Sequence, residues 1–81
     1  MDPRDLRQAF AANLRRFRHV KGLSQETLAY EAGINRTYLS KLEKGASYPG
    51  LEIIAKLATV LEVEPAEFLR ISSARGARDQ A

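Results

Sequence analysis

The stretch that decides the fold runs from Ser24 to Gly45 and reads SQETLAYEAGINRTYLSKLEKG. Ser24 is a good helix N-cap because its hydroxyl can accept from the free backbone amides of the first turn. Gly33 ends that helix where a left-handed residue is least costly, and Asn35 can cap a second helix. The stretch therefore predicts two short helices, the first over residues 25–32, joined by a tight turn.

Apolar side chains in this stretch recur at helical spacing and give each helix one inner face. A glycine-containing turn of three to four residues between two such helices is the helix-turn-helix geometry, in which the second helix enters the major groove of DNA. We call this second helix the recognition helix. The inner face is formed by Leu28, Ala29, Ala32, Ile34, Leu39 and Leu42, whereas Arg36, Thr37, Ser40, Lys41 and Lys44 lie on the outer side.

These residues also carry a family resemblance. Three blocks at fixed spacing are similar to the helix-turn-helix domain of phage repressors, Cro and the XRE-type bacterial regulators. The resemblance covers roughly Phe10 to Leu69 and implies an all-α, five-helix, lambda-repressor-like fold that binds DNA. The blocks are Leu23-Ser24-Gln25-x-x-Leu28-Ala29, then Gly33-Ile34-x-x-x-x-Leu39-Ser40-x-Leu42-Glu43-x-Gly45, then Pro49-x-Leu51, and within the family Arg36-Thr37-Tyr38-Leu39-Ser40 is most similar to restriction-modification controller proteins.

Length and composition exclude several classes of protein. Eighty-one residues make one domain, with no room for a second, ligand-sensing one. The absence of cysteine excludes a disulfide framework, a thiol nucleophile and a zinc thiolate site, and it suits a reducing cytoplasm. No apolar run approaches the roughly 18–20 residues that span a bilayer, and the N-terminus lacks a signal peptide's apolar core. We expect a soluble, cytoplasmic protein with no membrane partner.

The net charge of +3 is unevenly distributed. Residues 14–44 contain seven lysines and arginines against three glutamates, a balance of +4. Residues 45–70 contain two against four, a balance of −2. The basic charge thus coincides with the helix-turn-helix, as a surface facing phosphates requires.

Further helices flank the central pair. Asp2 as N-cap and Pro3 at the first helical position begin a helix that runs to about Lys21, where Gly22 closes it. A fourth helix follows the turn-rich loop from Gly45 to Gly50, and its cap is weak because Gly50 has no side chain to offer. The inner residues are Leu6, Phe10, Leu14 and Phe17 in the first helix, and Leu51, Ile54, Leu57, Ala58 and Leu61 in the fourth.

A last helix begins at Pro65 and is expected to place Phe68, Leu69 and Ile71 on its inner side. From Ser72 the sequence SSARGARDQA is small and polar, which predicts a disordered tail. The expected organisation is one helix-turn-helix domain over residues 1–71 and a tail over residues 72–81.

The DNA-binding residues follow partly from chemistry and partly from the resemblance. Arginine can donate twice to guanine, and threonine can offer its hydroxyl or its methyl group to a base edge. Gln25 lies in a first helical turn, whose free amides would point at a phosphate. Tyr38 either lays its ring on DNA, which we favour, or covers the core. The resemblance makes Arg36, Thr37, Ser40 and Lys41 the base readers and Lys44 and Tyr48 phosphate contacts, so the predicted DNA-binding set is Gln25, Asn35, Arg36, Thr37, Tyr38, Ser40, Lys41, Lys44 and Tyr48.

Other charged residues do not indicate catalysis. The resemblance implies that Arg18, late in the first helix, pairs with Glu43 to stabilise the fold. His19 is the only histidine, and no inward pair of carboxylates suits acid–base chemistry. The sequence therefore indicates no enzyme, no metal, no cofactor and no small-molecule ligand.

Assembly is the last expectation. Two helix-turn-helix units related by a two-fold axis read both halves of a palindrome, so we expect a homodimeric transcriptional regulator of double-stranded DNA. Ile53, Val60, Val63 and Phe68 in the last two helices exceed what one small core comfortably buries, and they form the expected dimer surface. The alternatives are a restriction-modification controller, an antitoxin that binds a toxin, and a structural helical bundle without a DNA role.

Overall fold

The structure is a computed structural model that describes residues 1–71. It contains α1 (Pro3–Lys21), α2 (Gln25–Ala32), α3 (Arg36–Glu43) and α4 (Leu51–Leu61), followed by a 3₁₀ helix (Pro65–Leu69). These residues form no strand, which confirms the predicted all-α class. The tail predicted over residues 72–81 lies outside the described residues. No helix in the described part of the chain combines the length and apolarity needed to cross a membrane.

The helix boundaries follow from the predicted caps. The Asp2 carboxylate accepts from the Arg4 amide at 2.8 Å, the Ser24 hydroxyl from the Thr27 amide at 3.0 Å, and the Asn35 side chain from the Tyr38 amide at 3.2 Å. Each bond satisfies a backbone donor that the first helical turn leaves free. Gly50, by contrast, gives α4 no side-chain cap, as its lack of a side chain requires.

The prediction of five helices was wrong at its last element. Pro65–Leu69 is a 3₁₀ helix of five residues, and Arg70 after it is extended. Five residues without a side-chain cap form too few i→i+4 hydrogen bonds to hold an α-helix, and 3₁₀ geometry is common in such short pieces. The prediction that Leu69 and Ile71 lie on the inner side with Phe68 was also wrong, because Leu69 is 39% exposed and Ile71 is 38% exposed.

Phe68 fastens the 3₁₀ helix to α1. Its ring is fully buried, with its centroid 5.3 Å from that of Phe10 and 5.4 Å from that of Phe17, the second contact edge to face. Tilted and edge-to-face pairs are the favourable arrangements for aromatic rings. The rest of the core comes from all four α-helices and includes the fully buried Leu14, Leu28, Leu39, Leu42 and Leu57.

Asn13 is a buried polar residue that the sequence analysis overlooked. Its side-chain amide donates to the Phe68 carbonyl at 2.8 Å and to the Arg70 carbonyl at 2.9 Å. Its oxygen accepts from the Arg16 guanidinium at 3.0 Å. These bonds satisfy carbonyls at the end of the 3₁₀ helix and hold the chain against α1.

One apolar assignment in α4 was also wrong. Leu51 was predicted to face inward with Ile54 and Leu57, but it is 86% exposed. It is the first residue of α4, one turn before Ile54, the first buried residue of that helix. The inner face of α4 is therefore Ile54, Leu57, Ala58 and Leu61, all buried.

Candidate nucleic-acid interface

The turn between α2 and α3 has the predicted construction. Leu28, Ala29 and Ala32 of α2 and Leu39 and Leu42 of α3 are buried, and Ile34 in the turn packs against them. Gly33 has φ +71°, a left-handed conformation that most side chains disfavour. This packing fixes α3 against α2 and leaves the opposite side of α3 uncovered.

The outer side of α3 carries polar and basic groups. Arg36, Thr37, Lys41 and Lys44 are exposed, and Ser40 is partly exposed. Asn35 is also exposed, although its oxygen caps α3, so only its amide nitrogen is free to meet a ligand. We call this group the recognition surface, defined as Asn35, Arg36, Thr37, Ser40, Lys41 and Lys44. Its guanidinium, hydroxyl and ammonium groups are of the types that contact base edges and phosphates.

Tyr38 packs against the core rather than standing free on the recognition surface. It is partly buried against the core, and its hydroxyl donates to the Tyr48 carbonyl at 3.1 Å. Tyr38 thus covers part of the core and is tied to the loop before α4, and its contact with DNA stays a prediction. Tyr48 itself is 63% exposed, as a phosphate contact requires.

Gln25 is engaged inside the protein. Its side-chain nitrogen donates to a Glu43 carboxylate oxygen at 3.0 Å, joining the start of α2 to the end of α3. This contact was not predicted, because nothing local to Gln25 indicates a partner 18 residues away. The contact of Gln25 with a phosphate stays a prediction.

The predicted Arg18–Glu43 pair is confirmed. The guanidinium donates through Nε to one carboxylate oxygen at 2.6 Å and through Nη2 to the other at 3.0 Å, and through Nη1 to the Leu23 carbonyl at 2.8 Å. Glu43 is only 3% exposed. Burial alone would raise the pKa of Glu43, but the hydrogen bonds from Arg18 and Gln25 outweigh it and hold the pKa below its ordinary value. One buried ion pair thus joins α1, α2 and α3.

The end of α3 is fixed from α1 as well. Arg15 donates to the backbone carbonyl of Glu43. Gly45 has φ +74°, and the Gln8 side chain lies against it. The backbone conformation therefore requires the glycine of the Leu-Glu-x-Gly motif, whereas the flexible end of Gln8 could move away from a Cβ.

Ion pairing separates the cations into two groups. Residues 1–71 contain eleven lysines and arginines, of which five pair with carboxylates in the same range. The lysines and arginines without such a pair lie in α1, in α3 and at Lys44, directly after α3. The paired residues are Arg4, Arg18, Lys21, Lys56 and Arg70, and the other six are Arg7, Arg15, Arg16, Arg36, Lys41 and Lys44.

Known proteins are similar to this chain in sequence and in architecture. The model of the family HTH_3, described as helix-turn-helix, matches residues 14–68. A hypothetical transcription factor of Neisseria meningitidis is 43% identical over 68 residues, which are 84% of this chain and 64% of that protein. Its crystal structure aligns with a TM-score of 0.83 at 39% identity, covering 95% of this chain and 88% of that one.

A control protein and a restriction-modification controller protein are also similar. Control protein C.BamHI of Bacillus amyloliquefaciens is 36% identical over 66 residues, which are 80% of this chain and 82% of that protein. The crystal structure of the controller protein C.AhdI from Aeromonas hydrophila aligns with a TM-score of 0.74 at 45% identity, covering 76% of this chain and 94% of that chain.

Proposed function

The chain belongs to the HTH_3 helix-turn-helix family of DNA-binding regulators, and we propose that it binds a palindromic operator in duplex DNA as a homodimer and so regulates transcription. The observation that carries the proposal is the recognition surface. There α3 and the residue that follows it present an arginine, a threonine and two lysines to solvent, with no carboxylate in residues 1–71 paired to any of the cations. Bases and phosphates are the ligands that this combination fits.

We propose the following arrangement on DNA. α3 lies in the major groove with its N-terminus towards the bases, because the N-terminal residues of a recognition helix reach base edges. Arg36 and Thr37 read the sequence from that end, and Ser40 and Lys41 extend the reading along the helix. Lys44 and Tyr48, at and after the end of α3, hold the phosphate backbone.

Arg36→Ala and Lys44→Ala separate base reading from phosphate binding. We first select preferred sites from random duplexes and then measure each variant on a selected and on a random duplex. Arg36→Ala is expected to lose about 1–3 kcal/mol at the selected site and to relax sequence preference, because a bidentate contact to a base is removed. Lys44→Ala is expected to weaken both duplexes alike. Equal loss on both duplexes for Arg36→Ala would make Arg36 a phosphate contact instead.

The proposed dimer surface is smaller than the sequence suggested. Phe68 was expected there, but it is fully buried between Phe10 and Phe17 and so belongs to the core of one protomer. Ile53 and Val60 of α4 and Val63 after it remain partly exposed. We propose that these three pair across the two-fold axis and set the recognition helices roughly 34 Å apart, one turn of DNA.

Val63→Glu tests this surface. An unpaired charge at the centre of an interface is strongly unfavourable, so the variant is expected to sediment as a monomer with unchanged helical content. High-affinity operator binding is lost with the dimer, since a monomer has half of the base contacts. Thr59→Glu, on the exposed side of α4, is the matched control and is expected to stay dimeric. A wild type that is monomeric at tens of micromolar, or a dimeric Val63→Glu, would remove this surface from the proposal.

A restriction-modification controller is the second candidate. C.AhdI carries that description and is 45% identical in the aligned region, and C.BamHI is described as a control protein. The DNA-binding chemistry is the same, so the genes beside this one distinguish the candidates. A controller is expected to bind its selected sequence upstream of a neighbouring restriction or methylation gene, whereas a general regulator has no such neighbour.

A further inference from the structure

The loop between α3 and α4, residues 45–50, is held from two sides. On the α3 side the Tyr38 hydroxyl donates to the Tyr48 carbonyl at 3.1 Å. On the α1 side the Gln8 side chain lies against Gly45, and the Arg7 guanidinium carbon lies 4.3 Å from the centre of the Tyr48 ring. Cations at this distance over a tyrosine face are attracted by the ring quadrupole. Arg7 and Tyr38 therefore fix Tyr48 through its ring and its backbone.

The charge of Arg7 has no carboxylate partner among residues 1–71. The neighbouring Asp2 is bound by Arg4 instead, at 2.9 Å. The Nε of Arg7 is buried and donates to no acceptor in the described part of the chain. Buried donors are normally satisfied, and an unsatisfied one is unfavourable. Arg7 is thus a partly buried cation that lies over an exposed aromatic ring and forms no ion pair within residues 1–71.

We infer that Arg7 is a further residue of the DNA-binding surface, which orients the Tyr48 phenol towards a backbone phosphate and supplies positive charge beside it. The inference rests on the proposed function. When a phosphate accepts from the Tyr48 hydroxyl, only the phenol ring lies between that phosphate and the Arg7 guanidinium. The distance between the two charges is then less than the screening length of about 8 Å at physiological ionic strength. Arg7 acts on the phosphate through Tyr48, so it is a positioning residue.

The test compares Arg7→Met with Arg4→Met. Both variants remove one positive charge near the start of α1, but Arg4 is paired with Asp2, whereas Arg7 is the cation over the Tyr48 ring. Binding to selected and random duplexes is measured at several salt concentrations. Arg7→Met is expected to weaken both duplexes by roughly tenfold, as for loss of a charge-assisted contact, and to reduce the salt slope by about 0.9 per protomer. Arg4→Met is expected to leave the slope unchanged.

Two further variants show whether Arg7 works through Tyr48. Arg7→Lys keeps the charge but loses the planar stacking, so it is expected to keep the wild-type slope. In a Tyr48→Phe background, which keeps the ring but removes the hydroxyl, Arg7→Met is expected to have a smaller effect than in the wild type. Circular dichroism of each variant verifies that the helices are retained.

The contrary outcomes are distinct. The inference is overturned, and the proposed function is left intact, if the wild type binds duplex DNA but the salt slope of Arg7→Met equals that of the wild type or of Arg4→Met. Equal effects of Arg7→Met with and without the Tyr48 hydroxyl overturn the positioning role. A wild type that binds no duplex overturns the proposed function and this inference together.

Discussion

Arg18→Met is expected to lower the free energy of unfolding by about 3–5 kcal/mol, because it leaves the buried Glu43 carboxylate without its charge partner. Glu43 is 3% exposed and would retain only the Gln25 hydrogen bond. The Leu23 carbonyl would lose a donor as well. A domain of this size has a total stability of about 5–15 kcal/mol, so the variant approaches the unfolding threshold. Urea denaturation followed by circular dichroism at 222 nm measures the loss.

Lys21→Met is the matched control. Lys21 pairs with Glu62, but their side chains are 35% and 73% exposed, and such surface pairs contribute at most about 1 kcal/mol. The double variant Arg18→Met/Glu43→Leu removes both buried charges and is expected to recover much of the loss. A loss for Arg18→Met no larger than that for Lys21→Met would contradict the role given to the buried pair.

Local signals made most of the fold predictable. Ser24 and Asn35 accept from amides three residues ahead, so the starts of α2 and α3 follow from a few adjacent residues. Gly33 likewise marks its turn through its own backbone conformation. Because α2 and α3 are short and capped at fixed spacing, the recognition surface followed from the sequence as well.

Contacts between distant residues were not predictable in the same way. Gln25 donates to Glu43, which lies in another helix, and Tyr38 bonds a carbonyl ten residues away. Asn13 bonds carbonyls 55 and 57 residues along the chain. One signal for Asn13 was available, since it lies three residues after Phe10 and four before Phe17, on the apolar face of α1. A polar residue there indicates a buried hydrogen bond.

DNA affinity is expected to fall by about 10³–10⁵ between 50 and 200 mM salt. Lysine and arginine contacts release counterions from phosphates, and the loss follows for roughly 6–10 phosphate contacts per dimer. The structure offers enough charge for this, because six cations in residues 1–71 form no ion pair with a carboxylate in that range. Cations in surface ion pairs would contribute less, since their counter-charge is already within the protein.

The salt dependence of binding to a selected duplex shows whether this protein binds DNA through phosphate contacts. Equilibrium titrations of a fluorescent duplex give the association constant at several salt concentrations. The logarithm of this constant is plotted against the logarithm of the salt concentration. We expect this plot to be a straight line with a slope between about −5 and −9, for 6–10 phosphate contacts per dimer. A slope near zero, or no binding to any duplex after selection, would contradict the claim that this protein is a DNA-binding regulator.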